Sequence, residues 1–295
     1  MKKIIIFGGS GFIGKYFCEF LLKKNFFITV YDLLKPNFFH KNMKFIKGNI
    51  INKDDVTNSI KGNNYVMNFA GWADIETADF SYRDVIDQNV IGNLNILEGS
   101  VKHKINKFIY ASTMYVFSKY GGFYKASKQI SEIIINQFNL KFGLNFSILR
   151  FGSLYGPGSS KGNSVYDLIM DALKNKQLNY WGSGDEIRQF IHARDAAKIC
   201  DVIFNTNNPK QYLTVSGLED VRIKDLLSLI NEIFDKKLKI SCKINKKSQI
   251  HYKNTPFSLN NNFFQTNIGE KIIFKSYTDI GQGIYEMITY LKNKK

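Results

Sequence analysis

Tyr124 and Lys128 stand four positions apart in the run Tyr124-Lys125-Ala126-Ser127-Lys128, and Ser112-Thr113 precede them. Side chains four apart share one helix face, so the Lys128 ammonium can lie beside the Tyr124 phenol. Such a pair can move a proton. A free phenol ionises near pH 10, and drawing it towards ~7 needs about 4 kcal/mol of preference for the phenolate. Tyrosine and lysine at this spacing also decorate many surface helices, so the pair gains meaning from what stands around it.

A second constellation lies at the start of the chain. Gly8-Gly9-Ser10-Gly11-Phe12-Ile13-Gly14 follows an apolar stretch and opens a helical one. Glycines in that place let the chain turn sharply and bring backbone N–H groups up to a pyrophosphate at a helix N-terminus. The next apolar run ends at Tyr31-Asp32, where a carboxylate can bind a ribose diol and repel a 2′-phosphate. Together these residues predict NAD rather than NADP. A nicotinamide cation, added to the Lys128 ammonium in a dry site, supplies the preference that the Tyr124 phenolate needs.

The elements that must position these groups alternate. Strands are predicted over Lys3–Phe7, Phe27–Tyr31, Met43–Lys47, Tyr65–Phe69, Lys107–Ala111 and Asn145–Arg150. Helices are predicted over Phe12–Lys24, Lys53–Ile60, Ser81–Lys102 and Tyr124–Phe142, where apolar residues recur at three- and four-residue spacing. That order makes an α/β fold, a doubly wound parallel sheet of the Rossmann type. A break of Gly, Ser and Asn follows Tyr155, and helices over Val165–Lys176, Val221–Phe234 and Gly283–Lys292 predict a smaller C-terminal substrate lobe. The expected division is residues 1–156 for the cofactor and 157–295 for the lobe, with a return to the first domain near 186–205.

Taken together these motifs resemble the extended short-chain dehydrogenases, the NAD-dependent epimerases and dehydratases of nucleotide sugars, over nearly the whole chain. Gly48-Asn49-Ile50 resembles the family's Gly-Asp-Ile beside adenine, with Asn replacing Asp. Asn68-Phe69-Ala70-Gly71 resembles the turn under the cofactor, and Asn89-Val90-Ile91-Gly92-Asn93 a mid-helix segment that braces the central strands. The resemblance makes Thr113, Tyr124 and Lys128 catalytic. It makes Gly8, Ser10, Gly11, Phe12, Ile13 and Gly14 cofactor residues, joined by Asp32, Asn49, Ile50, Phe69, Ala70, Gly71 and Asn89, with Tyr124 and Lys128. Arg150 to Pro157 resembles a substrate segment that puts Ser153 against the sugar. Asn163 falls at a second sugar-contacting position, and Arg188 at one that grips the diphosphate. His192 is read as structural, and Trp181 either as lobe core or as a stacking platform for the base.

Bulk properties exclude other classes. Apolar residues make up 44% of the chain and charged ones 22%, an ordinary globular balance rather than a disordered one. No apolar run reaches eighteen residues, so no membrane span is expected, and the short run after Met1-Lys2-Lys3 stops too soon for a signal peptide. The net charge of +16 invites a nucleic-acid reading, but its lysines are scattered, dense only at Lys236-Lys237, Lys246-Lys247 and Lys292 to Lys295. No nucleic-acid motif accompanies them, so no nucleic-acid partner is expected. Cys18, Cys200 and Cys242 lie far apart without metal-ligand spacing, which predicts no metal, no disulfide and a reducing cytoplasm.

The resembled chemistry begins with oxidation of a sugar hydroxyl. Elimination of water needs the Asp-Glu that relatives carry after the catalytic Thr, and Met114-Tyr115 stand there instead. A 3,5-epimerase/reductase would want a Cys and a His near the sugar, and no cysteine falls in a matching segment. The expectation is a nucleotide-sugar 4-epimerase. The alternatives are a net 4-dehydrogenase that releases the ketone and a non-catalytic NAD-binding regulator. The Met114–Phe123 connection is much shorter than in relatives, which favours the net dehydrogenase by removing a wall of the sugar pocket. The helices Ser81–Lys102 and Tyr124–Phe142 carry wide apolar faces and predict a homodimer.

Overall fold

A strand hidden on both faces needs an unbroken apolar run, and Ile4, Ile5, Ile6 and Phe7 are all fully buried. Their side chains alternate between two cores. Ile4 and Ile6 meet Phe17 and Leu21 on one side, while Ile5 and Phe7 meet Ile96 and Leu97 on the other. The computed structural model describes residues 1–244, 251–256 and 267–294; Lys246-Lys247 and Lys295 lie outside them.

The strands β1 (Lys3–Phe7), β2 (Phe27–Asp32), β3 (Met43–Lys47), β4 (Tyr65–Asn68), β5 (Lys107–Thr113) and β6 (Phe146–Phe151) join one parallel sheet. Across it the order is β6-β5-β4-β1-β2-β3, extended beyond β6 by the strands Lys210–Val215 and Glu270–Lys271. The chain winds one way from β1 and the other way from β4. Between β1 and β4 lies the switch point, where the crevice of a doubly wound fold opens.

Helices α1 (Phe12–Lys23), α2 (Lys53–Ile60), α3 (Ile75–Ala78), α4 (Tyr82–Ile86), α5 (Gly92–Lys102) and α6 (Gly122–Phe142) connect these strands. The predicted helix Ser81–Lys102 is interrupted by a π-helical turn at Asp87–Ile91. Helices α7 (Ser164–Asn175), α8 (Ala193–Ala196), α9 (Ile199–Phe204), α10 (Ile223–Ile233) and α11 (Ile280–Asn293) follow. A third core forms from Leu168 and Ile169 of α7, Leu226 and Ile230 of α10, and Ile284 and Ile288 of α11. Helices α8 and α9 give Ala196, Ile199 and Ile203 to the first core. Lys210–Val215 and Glu270–Lys271 were not among the strands expected from the sequence.

One buried ion pair ties the elements beneath the site. Arg150 on β6 donates from Nε (3.0 Å) and Nη2 (2.7 Å) to the Glu132 carboxylate on α6, which also accepts from Ser112 Oγ at 2.6 Å. Arg150 Nη1 donates to the carbonyls of Asn267 and Ile268 (2.6 and 3.0 Å). Glu132 thus fixes α6 against the end of β5, the two elements that carry Tyr124 and Thr113.

Candidate active site

The glycine turn packs closely enough to require glycine. Gly8 has φ +76°, and a Cβ on Gly14 would collide with the Gly8 carbonyl oxygen, so helix and strand touch through bare backbone. Gly11 caps α1 with no side-chain hydrogen bond, leaving the first-turn N–H groups for an anion. Ile13 and Phe12 anchor that turn, Ile13 against the first core and Phe12 edge-on to Tyr16.

A cleft of about 240 Å³ opens over this turn, lined by Gly8, Gly11, Asp32, Asn49, Ile50 and Gly71. Phe69 and Ala70 complete its floor, and Gln88 and Tyr31 also reach it. Asp32 accepts from the N–H groups of Ser10 (3.0 Å) and Leu34 (3.1 Å), which fixes its carboxylate at the cleft edge. Asn49 accepts from Ile51 N–H through Oδ1, so its Nδ2 is the end left to face a ligand. Asn89, in the middle of the π turn, spends its amide on Trp72 N–H, Trp72 O and Ser127 Oγ. It braces the Gly71–Trp72 turn against α6. An uncapped helix N-terminus, bare glycines and a carboxylate at the end of β2 fit a dinucleotide with a free ribose diol.

At the carboxyl end of β5, the Thr113 hydroxyl stands near the Tyr124 phenol and favours its ionised form. Lys128 is buried, lies 6.0 Å from the Tyr124 ring centroid, and donates from Nζ to Ala111 O at 2.9 Å. Burial drives Tyr124 up to about 12, opposed by the Thr113 hydroxyl. Burial also lowers Lys128 to about 8, opposed by the negative charge of Glu132 one turn on. The three expected catalytic residues therefore come together beside the cofactor cleft.

The expected substrate residues are arranged differently. Asn163 is the N-cap of α7, accepting from Tyr166 N–H, and its Nδ2 donates to Leu154 O at 2.7 Å. Ser153 lies near Tyr252, whose ring lies 4.4 Å from the Arg188 guanidinium. Arg188 also donates to Ile187 O and Lys253 O. Tyr252 thus lies against both Ser153 and Arg188. His192 is buried and caps α8 by accepting from Arg194 N–H; Trp181 is 48% exposed and so is no core residue.

Tyr252 was not foreseen, nor were His251 and Tyr115. Tyr115 follows Thr113 by two residues on the buried turn Met114–Phe117. Its hydroxyl lies 2.7 Å from His251 Nδ1, and its ring is 4.5 Å from that of Tyr252 and 6.2 Å from that of Tyr124. Position after Thr113 could have flagged Tyr115. Nothing local marks His251 or Tyr252, which arrive from over a hundred residues away through the pairing of Ile187 with Asn254.

Residues 4–214 match the NAD dependent epimerase/dehydratase family. The chain belongs to this family. An uncharacterized UDP-glucose epimerase, YtcB of Bacillus subtilis, is 27% identical over 263 residues, 80% of this chain and 83% of that protein. A putative UDP-glucose 4-epimerase of Methanocaldococcus jannaschii is 26% identical over 77% of this chain and 81% of its own. Among solved structures, a UDP-glucuronic acid 4-epimerase from Bacillus cereus, in complex with UDP-glucuronic acid and NAD, superposes with TM-score 0.84 at 21% identity. That match covers 99% of this chain and 100% of the other. This member of the NAD dependent epimerase/dehydratase family is thus an NAD-dependent enzyme on the family's Rossmann fold. No helix among its described residues is long and apolar enough to cross a membrane.

Proposed function

We propose that this enzyme is a nucleotide-sugar 4-epimerase. The reading rests on Thr113, Tyr124 and Lys128 meeting beside the dinucleotide cleft, with no carboxylate in the Met114-Tyr115 pair that follows Thr113. Relatives named as UDP-glucose epimerases and a structural neighbour holding a UDP-sugar support a UDP-linked substrate. Gly8, Ser10, Gly11, Phe12, Ile13 and Gly14 would cradle the cofactor pyrophosphate. Asp32 would hold a ribose, Asn49 and Ile50 the adenine, and Phe69, Ala70 and Gly71 the floor, with Asn89 holding that floor in place.

Bound NAD supplies the hydride acceptor and a positive charge. Tyr124 takes the proton of the sugar 4-hydroxyl, and Thr113 hydrogen-bonds the same oxygen as it becomes a carbonyl. Lys128 keeps an ammonium below the phenol, holding the phenolate against the burial that pushes it up. Arg188 would reach the diphosphate, and Ser153 the sugar, across or beside the Tyr252 ring; Asn163 holds the α7 terminus near them.

The short connection after Thr113 favoured release of the ketone. Tyr252, packed on Tyr115 and Arg188, supplies a wall there from elsewhere in the chain, which favours the epimerase over a net 4-dehydrogenase. A single turnover with UDP-glucose deuterated at C4 tests this. Deuterium recovered on UDP-galactose is the expected result. A 4-keto product with stoichiometric reduced cofactor, read at 340 nm, makes net oxidation the function.

A further inference from the structure

The 4-epimerase mechanism uses Thr113, Tyr124 and Lys128 and leaves a second proton-carrying pair beside them without a task. The Tyr115 hydroxyl lies 2.7 Å from His251 Nδ1, with the Tyr115 ring 9% exposed and set edge-on to Tyr124 at 6.2 Å. Thr113 and Tyr124 mark where the oxidised carbon's oxygen sits. A sugar ring held there places the carbons next to the ketone one bond away, near the Tyr115 side chain that packs edge-on to Tyr124. Hydrogens on carbons next to a ketone are acidic, because the electron pair left behind moves onto the carbonyl oxygen. An enolate so formed would have its oxygen on the Thr113 and Tyr124 hydroxyls, donors that the oxidation step already requires.

We propose that Tyr115 and His251 form a second acid–base pair that removes and returns a proton on a carbon adjacent to the ketone. The inference rests on the hydroxyl-oxidising reading above and adds carbon–hydrogen exchange to it. The Tyr115 oxygen takes the α-proton as its own hydroxyl proton passes to His251 Nδ1, leaving an imidazolium. The carbon–hydrogen bonding pair becomes the carbon–carbon double bond of the enolate, and the carbonyl pair moves to oxygen. Return of the two protons restores the ketone, with either configuration at that carbon, and no electrons leave the sugar. Burial, reinforced by Arg188, holds the His251 imidazole below its ordinary pKa, so it is neutral and able to accept. Asp74 and Glu76 face it with negative charge and favour the imidazolium once formed. Burial keeps the Tyr115 phenol protonated, the form that a relay needs.

The test presents the ketone ready-made. NAD-loaded protein is mixed with UDP-4-keto-6-deoxyglucose in D₂O, and deuterium at C3 and C5 is followed by NMR. Exchange at least ~10²-fold above buffer alone is expected, the lower end for general acid–base help. It should fall about as far in Tyr115→Phe and in His251→Asn, which keeps an acceptor for Tyr115 but takes no proton. Absence of exchange in the unmutated protein overturns the proposal, as does exchange at the unmutated rate in both variants. Oxidation is read separately, at 340 nm, with UDP-glucose. Oxidation without exchange removes only the second pair; exchange without oxidation upholds the pair and removes the hydroxyl-oxidising reading instead.

Discussion

Lys128 carries a cost that the site accepts for its chemistry. Its folded pKa, about 8, lies below the ordinary 10.5, so between those values the unfolded chain binds more protons and stability rises with pH. Below about pH 8 the full cost of burying the cation is present. In Lys128→Met the cost is gone at every pH. The melting temperature of that variant, compared with the parent, should therefore shift in the parent's favour as pH climbs from 8 towards 10.5, while turnover is lost. Tyr124→Phe should fold and bind NAD yet lose at least ~10²-fold in kcat, as removal of a general base does. Retention of near-normal kcat would move the base elsewhere. At this scale the sequence was most legible where chemistry has a fixed local spacing, as in Tyr124 and Lys128. It was least legible where a side chain arrives through tertiary pairing: Tyr252 shares no motif with the Arg188 that it covers.

Most elements of the first half were readable because one period governs each. The predicted Lys53–Ile60 matches α2 residue for residue, since Val56, Ser59 and Ile60 form one buried stripe below a capping Asn52. The π turn at Asp87–Ile91 escaped, because one extra residue in a turn changes apolar spacing too little to be seen. It nonetheless sets Asn89 against Trp72 and Ser127. The strand Lys210–Val215 escaped for a different reason. Its Gln211 is buried, receiving Lys107 Nζ (3.1 Å) and Ser147 Oγ (2.7 Å), and a polar residue at a core position hides a strand from an apolar search. At Gly14 the start of α1 packs on the bare backbone of the Gly8 turn that follows β1. Gly14→Ala should cost roughly 1–3 kcal/mol of overpacking in urea unfolding and weaken NAD binding with it.

Across the whole molecule, a band of apolar side chains is left on the surface of α4 and α6 and the turn before them. Phe80 is 86% exposed, Ile133 48% and Phe123 43%, with Phe123 stacked on Tyr82 of α4. A second copy of the chain, presenting the same helices about a two-fold axis, would cover them. Light scattering at micromolar concentration should give a dimer mass, and Ile133→Glu should return it to a monomer; a parent monomer would reject the association. The charge of +16 keeps such a molecule apart from its copies elsewhere on its surface.

The hold of Arg150 on the carbonyls of Asn267 and Ile268 bears on the order in which the chain can be finished during synthesis. Six strands of the sheet have been made once residue 151 leaves the ribosome, yet β6 then stands as a bare edge with its partner Lys210–Val215 still to come. A guanidinium with no exposure would meanwhile wait for acceptors more than a hundred residues downstream. An unpaired edge, beside a buried guanidinium that holds Glu132 but still lacks the two carbonyls its Nη1 donates to, is an invitation to stick to a neighbouring chain. A fragment ending at residue 156 should therefore aggregate when expressed alone, whereas one ending after Glu270–Lys271 retains every strand of the sheet; the soluble fraction of each after centrifugation decides.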